Sequence, residues 1–215
     1  MDRDDVWRAI DDQRRRLIEV LEDLSEQDWQ HPSLCRGWTV RQVAAHVALQ
    51  HITWPMMPRA VLDMVRPGGM NGAIHAMACR HAKNSTEQII AEIRDRIGVW
   101  RALPSLTYRD TAVDYLVHAQ DIAIPLGLRL DMPTDVAAVA ADRVWTSDRM
   151  FHARKKLAGC RLVATDTSWS AGQGQEVTGP IGALLLLLTG RPAALDRLSG
   201  AGGAALRARL PSVRS

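Results

Sequence analysis

Apolar residues recur at helical spacing through most of this chain, and that periodicity restricts what it can fold into more than any other feature. From about Asp4 to Leu24, the residues Val6, Ile10, Leu17, Val20 and Leu21 share one face with charges between them, the pattern of an amphipathic helix. Thr39 is placed to cap a second helix running from Val40 toward Trp54, which Pro55 and Pro58 end. A short helix over Arg59 to Val65 and another over Asn71 to Ala82 flank a Pro67-Gly68-Gly69 turn. Ser85-Thr86-Glu87-Gln88 matches the capping-box pattern, and Ile89, Ile90, Ile93, Ile97 and Trp100 continue one face toward Pro104. The next helix spans about Tyr108 to Leu126, with Pro125 in its last turn and Gly127 closing it. Thr134 then caps a helix from Asp135 to about Phe151. The long, well-patterned segments predict a mainly α protein built on a four-helix bundle, an architecture that places metal and ligand sites between facing helices.

After Gly159 the texture changes. Arg161 to Thr165 reads as a strand, the polar, glycine-rich TSWSAGQGQ follows, and Glu176 to Thr178 reads as a second short strand. Pro180 sits where a first helical position tolerates it and opens a helix through Leu188. A boundary near residue 157 therefore separates a bundle over 1–157 from a small α/β C-terminal domain over 158–215. About 60 residues make a marginal domain, so this part is expected to pack against the bundle.

Composition excludes several classes. Hydrophobic residues at 47% and charged residues at 24% are globular values. The longest apolar run, around Ile181 to Leu188, falls far short of the roughly 20 residues that cross a bilayer, so no membrane partner is expected. The opening MDRDDVWRAIDDQRRR is charged from the start and holds no apolar signal core, which predicts a cytoplasmic protein. Cys35, Cys79 and Cys160 are odd in number, widely spaced and form no CxxC pair, which suits a reducing compartment. The net charge is +3, but acidic residues interleave with the arginines and no basic stripe forms, so no nucleic-acid partner is expected.

Three side chains stand out against this helical frame. Asp114 and His118 lie four apart on one predicted helix, which stacks them on the same face, close enough to share an ion. His46 sits mid-helix among Val43, Ala44, Ala45 and Val47, where an imidazole needs a partner because a buried polar group without one costs about 1–3 kcal/mol. Two histidines and a carboxylate suit catalytic zinc and other first-row divalent ions, with a position left for water or substrate. The same spacing also fits ordinary histidines bonded to nearby backbone beside a solvated Asp114. Asp121, three residues beyond His118, is placed to orient a ligand, to bind the ion or to form a surface salt bridge.

Other candidates have less behind them. Cys35 reads as a small packed side chain with no adjacent base, and Trp38 and Trp54 read as core anchors. His51 lies about 140° round the helix from His46, too far to share its ion. His31, His75, His81 and His152 lack supporting spacing. Arg191, after the apolar helix and before Pro192, is placed to meet the last carbonyls or to hold a substrate carboxylate.

The run Cys35-Arg36-Gly37-Trp38-Thr39-Val40-Arg41-Gln42-Val43-Ala44-Ala45-His46-Val47 resembles the C-x-G-W-T-V-x-x-h-h-x-H signature of the DinB-like, mycothiol-dependent maleylpyruvate isomerase family. Asp114 through Ala123 is similar to that family's E-x-x-x-H-x-x-D segment, followed by Leu126-Gly127. The tail from Gly179-Pro180 through Leu188-Thr189-Gly190-Arg191-Pro192 resembles its C-terminal domain. The resemblance implies a DinB-like four-helix bundle that binds zinc through His46, Asp114 and His118. It also implies mycothiol as the thiol cofactor. In such isomerases the thiol adds to an activated double bond, the bond rotates, and elimination returns the thiol. The implied substrate is a small electrophile that is isomerised or joined to the thiol, with Arg191 as the arginine that handles a substrate carboxylate. Aspartate stands at 114 where the family pattern has glutamate, so a closer helix approach, a backbone shift or a bridging water must offset the missing methylene. A non-catalytic metal- or ligand-binding bundle and a metal-dependent hydrolase share the same ligand set.

Overall fold

The structure, a computed structural model of the chain, describes residues 1–49, 69–103, 106–147 and 151–209. The helix expected over Arg59 to Val65, together with His51 and Trp54, lies outside the described residues. By its contacts the chain divides into two compact units, Ile10–Leu130 and Met1–Ala9 with Asp131–Ser215.

The first unit is helical. Helix α1 (Arg3–Glu22) contributes its residues from Ile10 onward, followed by α2 (Glu26–Gln30), α3 (Val40–Ala48), α4 (Gly69–His81), α5 (Thr86–Arg94) and α6 (Tyr108–Ala123). Helix α3 is the hub: it packs against α2, α4, α5 and α6. Its Val40, Val43, Ala44, Ala45, Val47 and Ala48 are all buried, as are Ala112, Ala119 and Ala123 of α6.

Helix starts follow local chemistry. Thr39 caps α3 as expected: its hydroxyl accepts from Gln42 N, and the Gln42 side chain accepts from Thr39 N at 2.9 Å. Ser85 accepts from Gln88 N at the start of α5. Helix α5 then stops at Arg94 instead of continuing toward Pro104. The cause is a buried ion pair on α1. Arg14 lies 2.8 Å from Asp11 and donates to Arg96 O at 2.6 Å, while Asp11 Oδ2 accepts from Gly98 N and from Trp100 Nε1. These bonds hold 96–100 as turn and extended chain, and Trp100 leaves the helical face.

In the second unit, α7 (Thr134–Thr146) packs on the apolar α9 (Ile181–Leu188). Thr134 is the first helical residue, not the cap; Pro133 holds that position without a side-chain bond. The four-residue helix α8 (Ala153–Lys156) precedes a three-stranded sheet of β1 (Cys160–Ala164), β2 (Ser170–Gly172) and β3 (Gln175–Gly179). The order is β2-β1-β3, with β2 antiparallel and β3 parallel to β1. β2 falls in the glycine-rich stretch that sequence marks only as polar. After β2 the chain crosses the start of β1 at Gly174, whose φ is 124° and where a Cβ would stand 2.0 Å from Gly159 O. Helix α10 (Gly200–Arg209) lies against β3. The sequence boundary near 157 falls inside this unit, because Val136, Ala137, Ala140, Ala141 and Val144 bury α7 in the same core as α9. Among the described residues no helix is long and apolar enough to cross a membrane.

Candidate metal centre

Two capped helices build the site. The Thr39 cap fixes the start of α3, which carries His46 in its last turn. Thr107 and Asp110 form a capping box at the start of α6, which carries Asp114, His118 and Asp121. Helical spacing puts Asp114 and His118 on one face, and the close packing of α3 on α6 brings His46 to them.

His118 Nε2 lies 3.2 Å from Asp114 Oδ1, and His46 Nε2 lies 3.5 Å from the same oxygen. All three ligand-type atoms fall within 4.8 Å of one another, with the imidazole planes at 82°. Zinc–nitrogen and zinc–oxygen bonds of about 2.0–2.2 Å at tetrahedral angles separate neighbouring ligand atoms by about 3.3 Å. The two distances to Asp114 Oδ1 bracket that edge, so the donor set is of a kind and spacing that suit a divalent ion. The Asp114 side chain is 31% exposed, which leaves the cluster reachable by a small molecule.

Asp121 serves the opposite side of His118. Its side chain is 0% exposed, which rules out the surface salt bridge, and Oδ2 lies 2.8 Å from His118 Nδ1. A carboxylate there accepts the hydrogen bond from Nδ1–H and orients the ring so that Nε2 faces the cluster. Cys35 requires a correction. Far from lacking polar neighbours, its Sγ donates to Asp121 Oδ2 at 3.1 Å and lies 3.8 Å from His118 Nδ1. Cys35, His118 and Asp121 thus make a second group of ligand-type atoms sharing the His118 ring.

Charge follows from this geometry. Desolvation pushes the Asp114 carboxyl up, but the charges of His118 and then His46 beside it outweigh that and hold it well below 3.8. Desolvation pushes His118 down, and the Asp114 carboxylate, with hydrogen bonds to Asp114, Asp121 and Cys35, raises it well above 6.5.

Other residues find different places. Trp38 is half-buried instead of a core anchor: its ring stands edge-on to His46 at 5.8 Å and lies 4.9 Å from His75. His75 Nε2 is buried without a hydrogen-bond partner among the described residues. His31 Nδ1 meets Pro32 O, and His81 pairs with Glu92. Arg191 lies in the second unit ahead of a 3₁₀ turn (Pro192–Arg197), where its guanidinium donates to Thr189 O at 2.7 Å. Spacing along one helix could not reveal Cys35, since the contact spans 86 positions; its place in the run that ends at His46 was the available signal.

The family model for the mycothiol maleylpyruvate isomerase N-terminal domain matches residues 10–123. Among solved structures, the chain is similar to a crystal structure of the mycothiol-dependent maleylpyruvate isomerase, with a TM-score of 0.63. It is also similar to a histidine-to-alanine mutant of that enzyme, with a TM-score of 0.64. Each match has 15% identity and covers 94% of both chains. No curated protein matches. At that identity the likeness is one of fold, and the fold class is the one expected: mainly α, DinB-like, with a small sheet.

Proposed function

The chain belongs to the mycothiol maleylpyruvate isomerase N-terminal domain family, and on that premise we propose that it is a metal-dependent enzyme using mycothiol or a similar low-molecular-weight thiol. It isomerises a small electrophile or joins the thiol to it. The observation that carries this reading is the convergence of His46, Asp114 and His118 at 3.2 and 3.5 Å, on the helices where the family signature falls. These three residues would hold the ion, with zinc the best match to two imidazoles and a carboxylate. An open divalent site lowers the pKa of a thiol that reaches it, supplying a nucleophile near neutral pH. Around it, Asp121 fixes the His118 tautomer and Trp38 walls the His46 side. Arg191, in the tail whose sequence resembles the family's C-terminal domain, is the residue proposed to hold a substrate carboxylate. A cytoplasmic location suits the thiol and three cysteines that form no disulfide.

Protein purified without a histidine tag tests the reading. Elemental analysis is expected to find about one divalent ion per chain, lost in His46→Ala. Calorimetry is expected to show mycothiol binding to loaded protein at least about tenfold more tightly than to stripped protein. Equal affinity for both forms would argue against a metal-held thiol. Maleylpyruvate, named in the matched structures, is the first electrophile to assay.

A further inference from the structure

We infer that Cys35 is a positioning residue of this centre, holding Asp121 so that Asp121 in turn holds His118 in its ligating orientation. The inference rests on the metal-centre reading above. Asp121 Oδ2 receives two donors, His118 Nδ1–H at 2.8 Å and the Cys35 thiol at 3.1 Å. The thiol proton goes to the carboxylate and not to the ring, because Nδ1 is 3.8 Å away and is itself the donor to Asp121. A fully buried carboxylate depends on such donors, since a buried charge that loses a hydrogen bond has no water to replace it.

The loop carrying Cys35 is built to deliver that thiol. Ser33 Oγ donates to Trp38 O at 2.9 Å and accepts from Cys35 N at 3.1 Å, while Trp38 N donates to Cys35 O at 2.9 Å. Gly37 supplies the positive φ of 79° that closes the turn. Leu34 N then donates to the main-chain oxygen of Asp121 at 3.1 Å, tying the loop to α6 at the residue whose side chain takes the thiol. The backbone and side chain of Asp121 are thus both held from 34–35. Removing the thiol takes one of these two donors from Oδ2, and the partner of the His118 ring is held less firmly.

The test is a double-mutant cycle on the full chain, reading zinc affinity by chelator competition at constant pH. Wild type is compared with Cys35→Ala, Cys35→Ser, Asp121→Ala and the Cys35→Ala/Asp121→Ala double variant. Circular dichroism and melting of the stripped proteins report fold separately. Outer partners of metal ligands typically contribute 10–100-fold in affinity. Cys35→Ala is therefore expected to weaken zinc about tenfold, at the low end because it acts through Asp121. Cys35→Ser, which keeps a donor, is expected to recover most of that loss. The double variant is expected to match Asp121→Ala alone, because coupled residues are not additive. Additive losses, or a Cys35→Ala affinity equal to wild type, overturn the positioning role. A loss in Cys35→Ser as large as in Cys35→Ala overturns it in favour of direct thiolate ligation. Absence of zinc binding in the wild type overturns the metal reading and this inference with it. Normal wild-type binding with an unaffected Cys35→Ala overturns this inference alone.

Discussion

Asp114 and Asp121 sit on one helix and face opposite nitrogens of one imidazole, Asp114 Oδ1 near Nε2 and Asp121 Oδ2 on Nδ1 of His118. Helical angle alone cannot assign their roles, because each is a near neighbour of His118 on the same face. The second helix favours the proposed division, Asp114 as ligand and Asp121 behind His118, since His46 Nε2 lies 3.5 Å from Asp114 Oδ1. Asp114→Ala is therefore expected to abolish stoichiometric metal and Asp121→Ala to weaken it about 10–100-fold, both measured by chelator competition. Asp114→Glu is expected to keep or improve binding, because it restores the carboxylate of the family pattern. The charge pair also predicts a pH profile for the stripped protein. His118, raised above 6.5 on folding, contributes stability that is complete below 6.5 and lost as pH climbs through its raised value. Asp114, lowered below 3.8, contributes stability that is present above 3.8 and lost as pH falls through its depressed value. Their joint contribution is therefore greatest between these two ordinary values. Melting temperatures of stripped wild type and His118→Gln across pH check this: the difference between them should shrink as pH rises above neutrality.

At the scale of elements, caps and close approaches place the side chains. Thr39 was legible because a threonine three residues before a glutamine opens an apolar helical run. Thr107 with Asp110 does the same for α6, and its hydroxyl accepts from Asp110 N. Thr107→Ala is expected to cost about 1 kcal/mol, read as a lower urea midpoint, while metal content stays unchanged because the ligands lie beyond the first turn. The end of α5 was not legible. Ile97 and Trp100 continue the helical spacing, yet Arg14 takes the carbonyl of Arg96 and Asp11 takes the Gly98 amide. A bond that begins 82 positions away cannot be read from a local window. β2 escaped for a related reason: Ser170–Gly172 is short and made of small residues with little strand preference, and β1 pairs with it.

Over the whole molecule, the buried Asp11–Arg14 pair shows how a long-range polar contact outweighs local propensity. Both side chains are almost fully buried, and Asp11 also satisfies Gly98 N and Trp100 Nε1. Asp11→Ala is expected to cost about 3–5 kcal/mol by leaving the guanidinium buried beside unpaired donors, measured by chemical denaturation. By itself the sequence determined the helical class, most helix starts, the strands β1 and β3, and the pairing of Asp114 with His118, because periodicity, caps and i, i+4 neighbours are properties of adjacent residues. Only the tertiary structure decided that α7 shares its core with α9, that His46 meets Asp114, and that Cys35 reaches Asp121. Each of these depends on which apolar faces pack together, and that pairing does not exist until distant segments meet.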